Sequence, residues 1–319
     1  MGSSACILFL FLQDFSDAMT KRTGVISLLI LLGAISLSAQ TENASTGLAF
    51  LKLGVGGRAI GMGEAYSALS DDASGMYYNP AGISFGAGDE VTLMHKQWVF
   101  GTTSEFLGST VHSQNFTFGF GLNSTNVDGI EIRQQPGPPE GTFGLHDLAV
   151  SATASWRIDT SLSIGVTGKF LYEKIYVDES DGAALDFGAR YQYDQHFAFA
   201  AVITNIGSMS TLLNEPIVLP AGARFGASFR STPADYLAFT LASDVLKTFK
   251  DNGTRIDIGG ELAYNSFLAF RTGYQFGYDA KGFSAGFGLR YGVVQLDYAF
   301  VPFLDQLDDT HTFELTFSL

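Results

Sequence analysis

From Glu90 to its end the chain is a series of short segments in which apolar residues alternate with small or polar ones. Residues 282–291 display the pattern: Phe283, Ala285, Phe287, Leu289 and Tyr291 on one side, Gly282, Ser284, Gly286, Gly288 and Arg290 on the other. Side chains alternate across a strand, so this period gives one greasy face and one wet face. Such segments are readable near 90–99, 105–112, 115–123, 144–157, 160–176, 181–193 and 196–205. They continue near 220–230, 236–247, 254–264, 267–277, 282–291, 293–301 and 310–318. So many half-apolar strands constrain the fold to a sheet that seals on itself with hydrocarbon outside. The reading is all-β: a transmembrane antiparallel β-barrel of about 14 strands, an even number as single-chain bacterial barrels have.

Lys21 and Arg22, the apolar run Val25 to Ile35, and the small residues Ser36, Ser38 and Ala39 read as a secretory signal over residues 1–39. Residues 1–18, upstream of Met19, read as a start-site extension. Cys6, the sole cysteine, leaves with that segment, so burial and hydrogen bonding alone must hold the mature chain. Asp14 and Asp17 cancel Lys21 and Arg22, and the net charge stays at −14. That balance excludes nucleic acid as a partner, since phosphate backbones need clustered Lys and Arg. No apolar run after Gln40 reaches the ~20 residues of a membrane helix. The 28 phenylalanines suit a lipid face, and the 37 glycines suit lumen positions where a plug must fit.

The polar face of several strands carries charge. Arg255, Asp257 and Glu261 oppose Ile256, Ile258 and Leu262; Arg271 opposes Phe270; Arg290 and Asp297 oppose Leu289 and Leu296. A charge on the lipid face costs about 2–4 kcal/mol at mid-bilayer, so these residues point into the lumen. They make ion pairs there or, in a second reading, a charged binding site. The last strand carries Phe313, Leu315, Phe317 and Leu319 on one face up to the terminus, as a closing wall strand does. Three connections are long: Asp128 to Thr142, Ser208 to Pro220 and Phe303 to Thr310. They are the surfaces best suited to contact another protein.

Chemistry-bearing motifs are weak. Gly82-Ile83-Ser84-Phe85-Gly86 fits a nucleophile elbow but lacks the strand before it and the long helix after it. Gly54 to Ala59 fits a relaxed dinucleotide fingerprint with no βαβ unit around it. His95, His112, His146, His196 and His311 have no metal-ligand spacing. The chain reads as non-enzymatic, with no cofactor and no metal.

Residues 40–88 differ from the barrel region, 89–319. Gly47 to Phe85 is rich in Gly, Ala, Met and Ser and has no period of two. Short helices or turns fit around Ala59, Ile60, Met62 and Met76. Asp71 and Asp72 are placed to cap a helix through Ser74 to Tyr77, and Asn79-Pro80-Ala81-Gly82 is a turn. The block reads as a lumen plug, with a gating hatch as the alternative.

The same block resembles the opening of the PorV/PorQ family of outer-membrane proteins. The likeness is carried by Ala49 to Ala59, including Gly56 and Arg58; then Gly61-Met62-Gly63-Glu64-Ala65-Tyr66; then Asp71-Asp72-Ala73-Ser74 and Asn79-Pro80-Ala81-Gly82. The Asn-Pro-Ala element also resembles FadL-type transporters of hydrophobic molecules, with fourteen strands and an N-terminal plug. The first resemblance implies a non-catalytic role in type IX secretion, docking secretion proteins or cargo, with outer-membrane lipid around the barrel. The second implies passage of a hydrophobic small molecule through the lumen or a lateral opening. Docking calls for a filled lumen and exposed Leu212 and Leu213. Transport calls for an apolar pocket beside the plug, lined by Phe50, Leu51 and Met62.

Overall fold

The computed structural model describes residues 46–319 except 134, 136, 252 and 305–307. The leader and its extension lie outside the described residues. The wall begins with β1 (Glu90–Gln97), β2 (Thr103–Ser113), β3 (Phe116–Ile132) and β4 (Gly141–Arg157). It continues with β5 (Leu162–Ile175), β6 (Asp178–Gln192) and β7 (Phe197–Met209). A two-strand hairpin, β8 (Thr211–Leu212) and β9 (Glu215–Pro216), interrupts it. Then come β10 (Gly222–Ala234), β11 (Leu237–Thr248), β12 (Thr254–Tyr264) and β13 (Leu268–Phe276). β14 (Phe283–Tyr291), β15 (Val294–Val301) and β16 (Thr310–Ser318) complete it. Fourteen of these strands close into one antiparallel barrel, with β1 paired to both β2 and β16.

The period of two decides what faces outward. On β3, Phe116, Phe118, Phe120 and Leu122 are exposed in a row, and the next outward positions are Ser124 and Asn126. On β4 the row runs from Trp156 through Val150 to Leu148, and His146 lies beyond. The apolar belt therefore has an edge, where hydrocarbon gives way to water. Phe116 and Trp156 stack with centroids 6.0 Å apart at the other edge, as an aromatic girdle does. No described helix is long and apolar enough to cross a membrane; the strands do the crossing. A closed wall with an apolar belt outside and charge inside is a transmembrane barrel of the outer-membrane type, and the outer membrane is where the chain resides.

The wall is uneven. β3 and β4 have 17 residues each, against 8 for β1 and β15. Connections at one end are short, such as 114–115, 235–236 and 292–293. The three long connections all lie at the opposite end, which in barrels of this kind faces outward. We call it the outer mouth and the other end the inner mouth.

The plug fills the lumen between them. It holds α1 (Gly57–Gly61), α2 (Gly75–Tyr78) and two 3-10 turns, Ala49–Lys52 and Gly82–Phe85. It starts at the outer mouth, where the Gly47 amide donates to Val218 O at 2.9 Å. Wall glycines seat it. Gly259 and Gly273 face the backbone of Met62 and Gly63, Gly165 and Gly188 face Pro80, and Gly286 faces Gly61, whose Cα would lie 3.1 Å from a β-carbon added there. A β-carbon on Gly259, Gly273, Gly165 or Gly188 would overlap the plug outright.

Candidate functional site

Several of the quoted plug motif residues tie plug to wall, and Ser67, outside the motif, does so too through Asp244. Gly56, at φ 86°, precedes α1. The Gly57 and Arg58 amides donate to one oxygen of Glu314 at 2.5 and 3.3 Å. The Arg58 guanidinium pairs with Asp71 at 2.8 Å and Glu261 at 3.1 Å, and donates to the Tyr66 hydroxyl. Glu261 also accepts from Arg271 at 2.7 Å, and Arg271 pairs with Asp297 at 2.5 Å. Plug and wall charges thus form one alternating chain, Asp71–Arg58–Glu261–Arg271–Asp297. Each buried charge has an opposite neighbour, which offsets the cost of removing it from water.

Asp72 caps α2, as the spacing suggests: its Oδ1 accepts from the Gly75 amide at 3.0 Å and the Ser74 hydroxyl at 2.6 Å. Its Oδ2 accepts from Tyr66 Oη. Burial first, and Asp71 second, push the Asp72 carboxyl above its usual value. Asn79 donates to Ser67 O at 2.9 Å and to Ala189 O on β6 at 3.2 Å, while its Oδ1 accepts from the Ala81 amide at 3.0 Å. Ala81 O receives three hydroxyls, from Ser84, Ser155 and Ser163. Pro80, Ala81 and Gly82 are buried in this knot, and Ala59, Gly61, Met62 and Gly63 are buried along the facing wall. Ser84, of the elbow-like motif, spends its proton on Ala81 O and is 5% exposed.

The remaining lumen charges separate. Asp257 is buried on β12, with a bond of 3.4 Å from Gln275. Arg290 stands at the inner mouth and donates to Gln295 at 2.7 Å. Arg255 is at the outer mouth, with its guanidinium 4.5 Å from the Tyr278 ring centre.

Two cavities flank the plug. The inner one, of about 460 Å³, is lined by Arg58, Asp71, Asp72, Glu90, Arg271 and Glu314 among others. The outer one, of about 70 Å³, is lined by Leu51, Tyr77, Arg255 and further basic residues. Neither is the apolar pocket that transport calls for. Phe50 and Met62 are packed, at 2% and 0% exposure, and Leu51 borders the basic outer cavity. Leu48, Phe50, Leu51 and Leu53 instead form an apolar cluster with Leu171, Ala184 and Leu219 at the outer mouth. Leu213, on the β8–β9 hairpin, is 65% exposed, and Leu212 is half-buried. Among the described residues no group of three His, Cys, Asp or Glu is placed to hold a metal ion.

Several of these residues escape a sequence reading. Glu314 lies between Phe313 and Leu315 on an inward position, so alternation could have flagged it. Lys52, Lys169, Arg224 and Lys247 are isolated basic residues in sequence and meet only around the outer cavity.

The family model for the uncharacterised protein family UPF0164 matches residues 30–211, which cover the plug and the wall through β7. The chain belongs to UPF0164. No curated protein matches it in sequence. Among solved structures, this UPF0164 member is similar to the CymD monoaromatic hydrocarbon channel. The two are 14% identical over 86% of this chain and 99% of that one, with a TM-score of 0.63. The Pseudomonas putida toluene transporter TodX is 13% identical over 82% of this chain and 96% of its own, with a TM-score of 0.57. A Pseudomonas aeruginosa FadL homologue covers 82% of the chain at 11% identity, with a TM-score of 0.49. At such identities the likeness to CymD and TodX establishes the barrel fold.

Proposed function

We propose that this UPF0164 member is a plugged outer-membrane channel for small hydrophobic molecules. The observation that carries the reading is the alignment with CymD over 86% of the chain, a protein described as a monoaromatic hydrocarbon channel. The apolar cluster at the outer mouth is buried as it stands, and it would receive such a solute once the plug's leading segment moves aside. There the plug's leading segment, Leu48 to Leu53, occupies the place a solute would take. Beyond it the lumen is charged, so an apolar solute leaves sideways through the wall. The ladder between β6 and β7 shifts register between Leu185 and Phe187, next to Ala184 of that cluster, and such a bulge is a place where the wall could part. Cells carrying the protein should take up toluene faster than cells carrying an empty vector; equal rates would sink this reading.

A second reading is favoured by the filled lumen and by exposed Leu213: docking of secretion proteins or cargo at the outer mouth, as in type IX secretion and the PorV/PorQ family. Pull-down of the tagged protein from membranes separates the two. Recovery of a large translocon subunit favours docking, and recovery of bound lipid alone speaks against it. Neither role needs catalysis.

A further inference from the structure

We infer that the outer cavity is a binding site for a compact tetrahedral oxyanion of the phosphate class. Lys52 of the plug, Lys169 of β5, Arg224 of β10, Lys247 of β11 and Arg255 of β12 all line it, and none of its described lining residues is an acid. A chain with 18 basic residues and a net charge of −14 thus brings five of them to one small space. Chance scatter along five separate elements would mix the signs, as the inner cavity does.

The carboxylates that hold these cations stand outside the lining. Lys52 pairs with Asp251 at 2.8 Å, Lys169 with Asp186 at 2.6 Å, and Arg224 with Asp244 at 3.0 Å. Side chains of Lys169 and Arg224 are only 8% and 11% exposed, so they are fixed in position rather than free to swing into solvent. The Tyr77 hydroxyl, on the plug side of the same cavity, donates to Leu51 O at 2.8 Å.

Shape selects the ligand class. A planar carboxylate is satisfied by one guanidinium fork, whereas phosphate offers oxygens in every direction and suits separate point charges around it. Three ammonium and two guanidinium groups on five elements match the second case. A water needs about 10–15 Å³ of such space, so the cavity holds several waters or one compact anion. The carboxylates of the inner cavity repel what the outer one attracts, so the site retains its anion at the mouth. This inference does not depend on hydrocarbon passage.

Calorimetric titration of the full protein in detergent micelles with inorganic phosphate, in low-salt buffer, tests it. Expected is saturable one-site binding, with benzoate bound more weakly. The double variant Lys247→Gln with Arg255→Gln should weaken phosphate at least roughly tenfold, the scale of losing hydrogen bonds to a charged group. Heat-modifiable gel mobility reports whether that variant keeps a folded barrel; if it does not, Lys52→Gln on the plug replaces it with the same expected direction. Absence of saturable phosphate binding overturns the proposal. So does unchanged affinity in a folded variant, or benzoate binding as tight as phosphate.

Discussion

Arg271 is the residue on which the lumen charges turn. It is 7% exposed and touches both Glu261 and Asp297. Arg271→Leu leaves two buried carboxylates short of a partner, which costs about 3–5 kcal/mol. Urea unfolding of the barrel in detergent should reveal that loss; a change below 1 kcal/mol would refute the role given to the network. Asp72 adds a pH dependence. Its folded pKa lies above the ordinary 3.8, so the docked plug holds the proton more tightly than the unfolded chain does. Stability from this group is complete below 3.8 and fades as pH rises through the folded value. Protease cleavage of the plug should therefore increase as pH rises from below 3.8, and Asp72→Asn should flatten that profile.

At the level of elements, the plug is seated backbone against backbone on wall glycines. Gly273→Val would drive a branched side chain into Met62 and Gly63, where a β-carbon alone already overlaps. The barrel should still form, because its ladders do not use that side chain, while limited proteolysis should cut the plug. A protected plug in this variant would mean the contact is not needed. The leading segment offers a lock. A β-carbon on Gly47 would lie 3.9 Å from that of Ile217, within the span of a disulfide. Gly47→Cys with Ile217→Cys should lose toluene uptake when oxidised and recover it on reduction. Uptake indifferent to redox state would show that the segment does not gate.

For the whole molecule, closure is the governing feature. β16 pairs with β1 on one side and β15 on the other, and the Leu319 amide donates to Asp89 O at 2.8 Å. Deleting Thr310 to Leu319 would expose two strand edges to hydrocarbon, where unpaired backbone groups cost several kcal/mol each. No heat-modifiable barrel should form from that variant. Closure also explains why the lumen is so charged. A sealed wall shields the inner face from lipid, so inward positions are free to carry Lys, Arg, Asp and Glu, and pairs such as Lys169–Asp186, Arg224–Asp244 and Arg271–Asp297 form within the wall itself.

Alternation by itself determined most of this architecture. The segments read near 254–264, 282–291 and 310–318 fall within one residue of β12, β14 and β16, because a strand with lipid on one side has no freedom to change face. Asp72 as a helix cap and the turn at Asn79-Pro80 were also legible, since capping and turn formation act over a few residues. What alternation could not reveal is where inward side chains meet. Arg58 lies 203 residues from Glu261 and reaches it only through the path of the plug, while Glu261 and Arg271 face each other only through the β12–β13 register. The same holds for the five cations of the outer mouth. A period of two assigns a face but not a height or an angle around the barrel, and those coordinates decide which charges pair and which line a cavity.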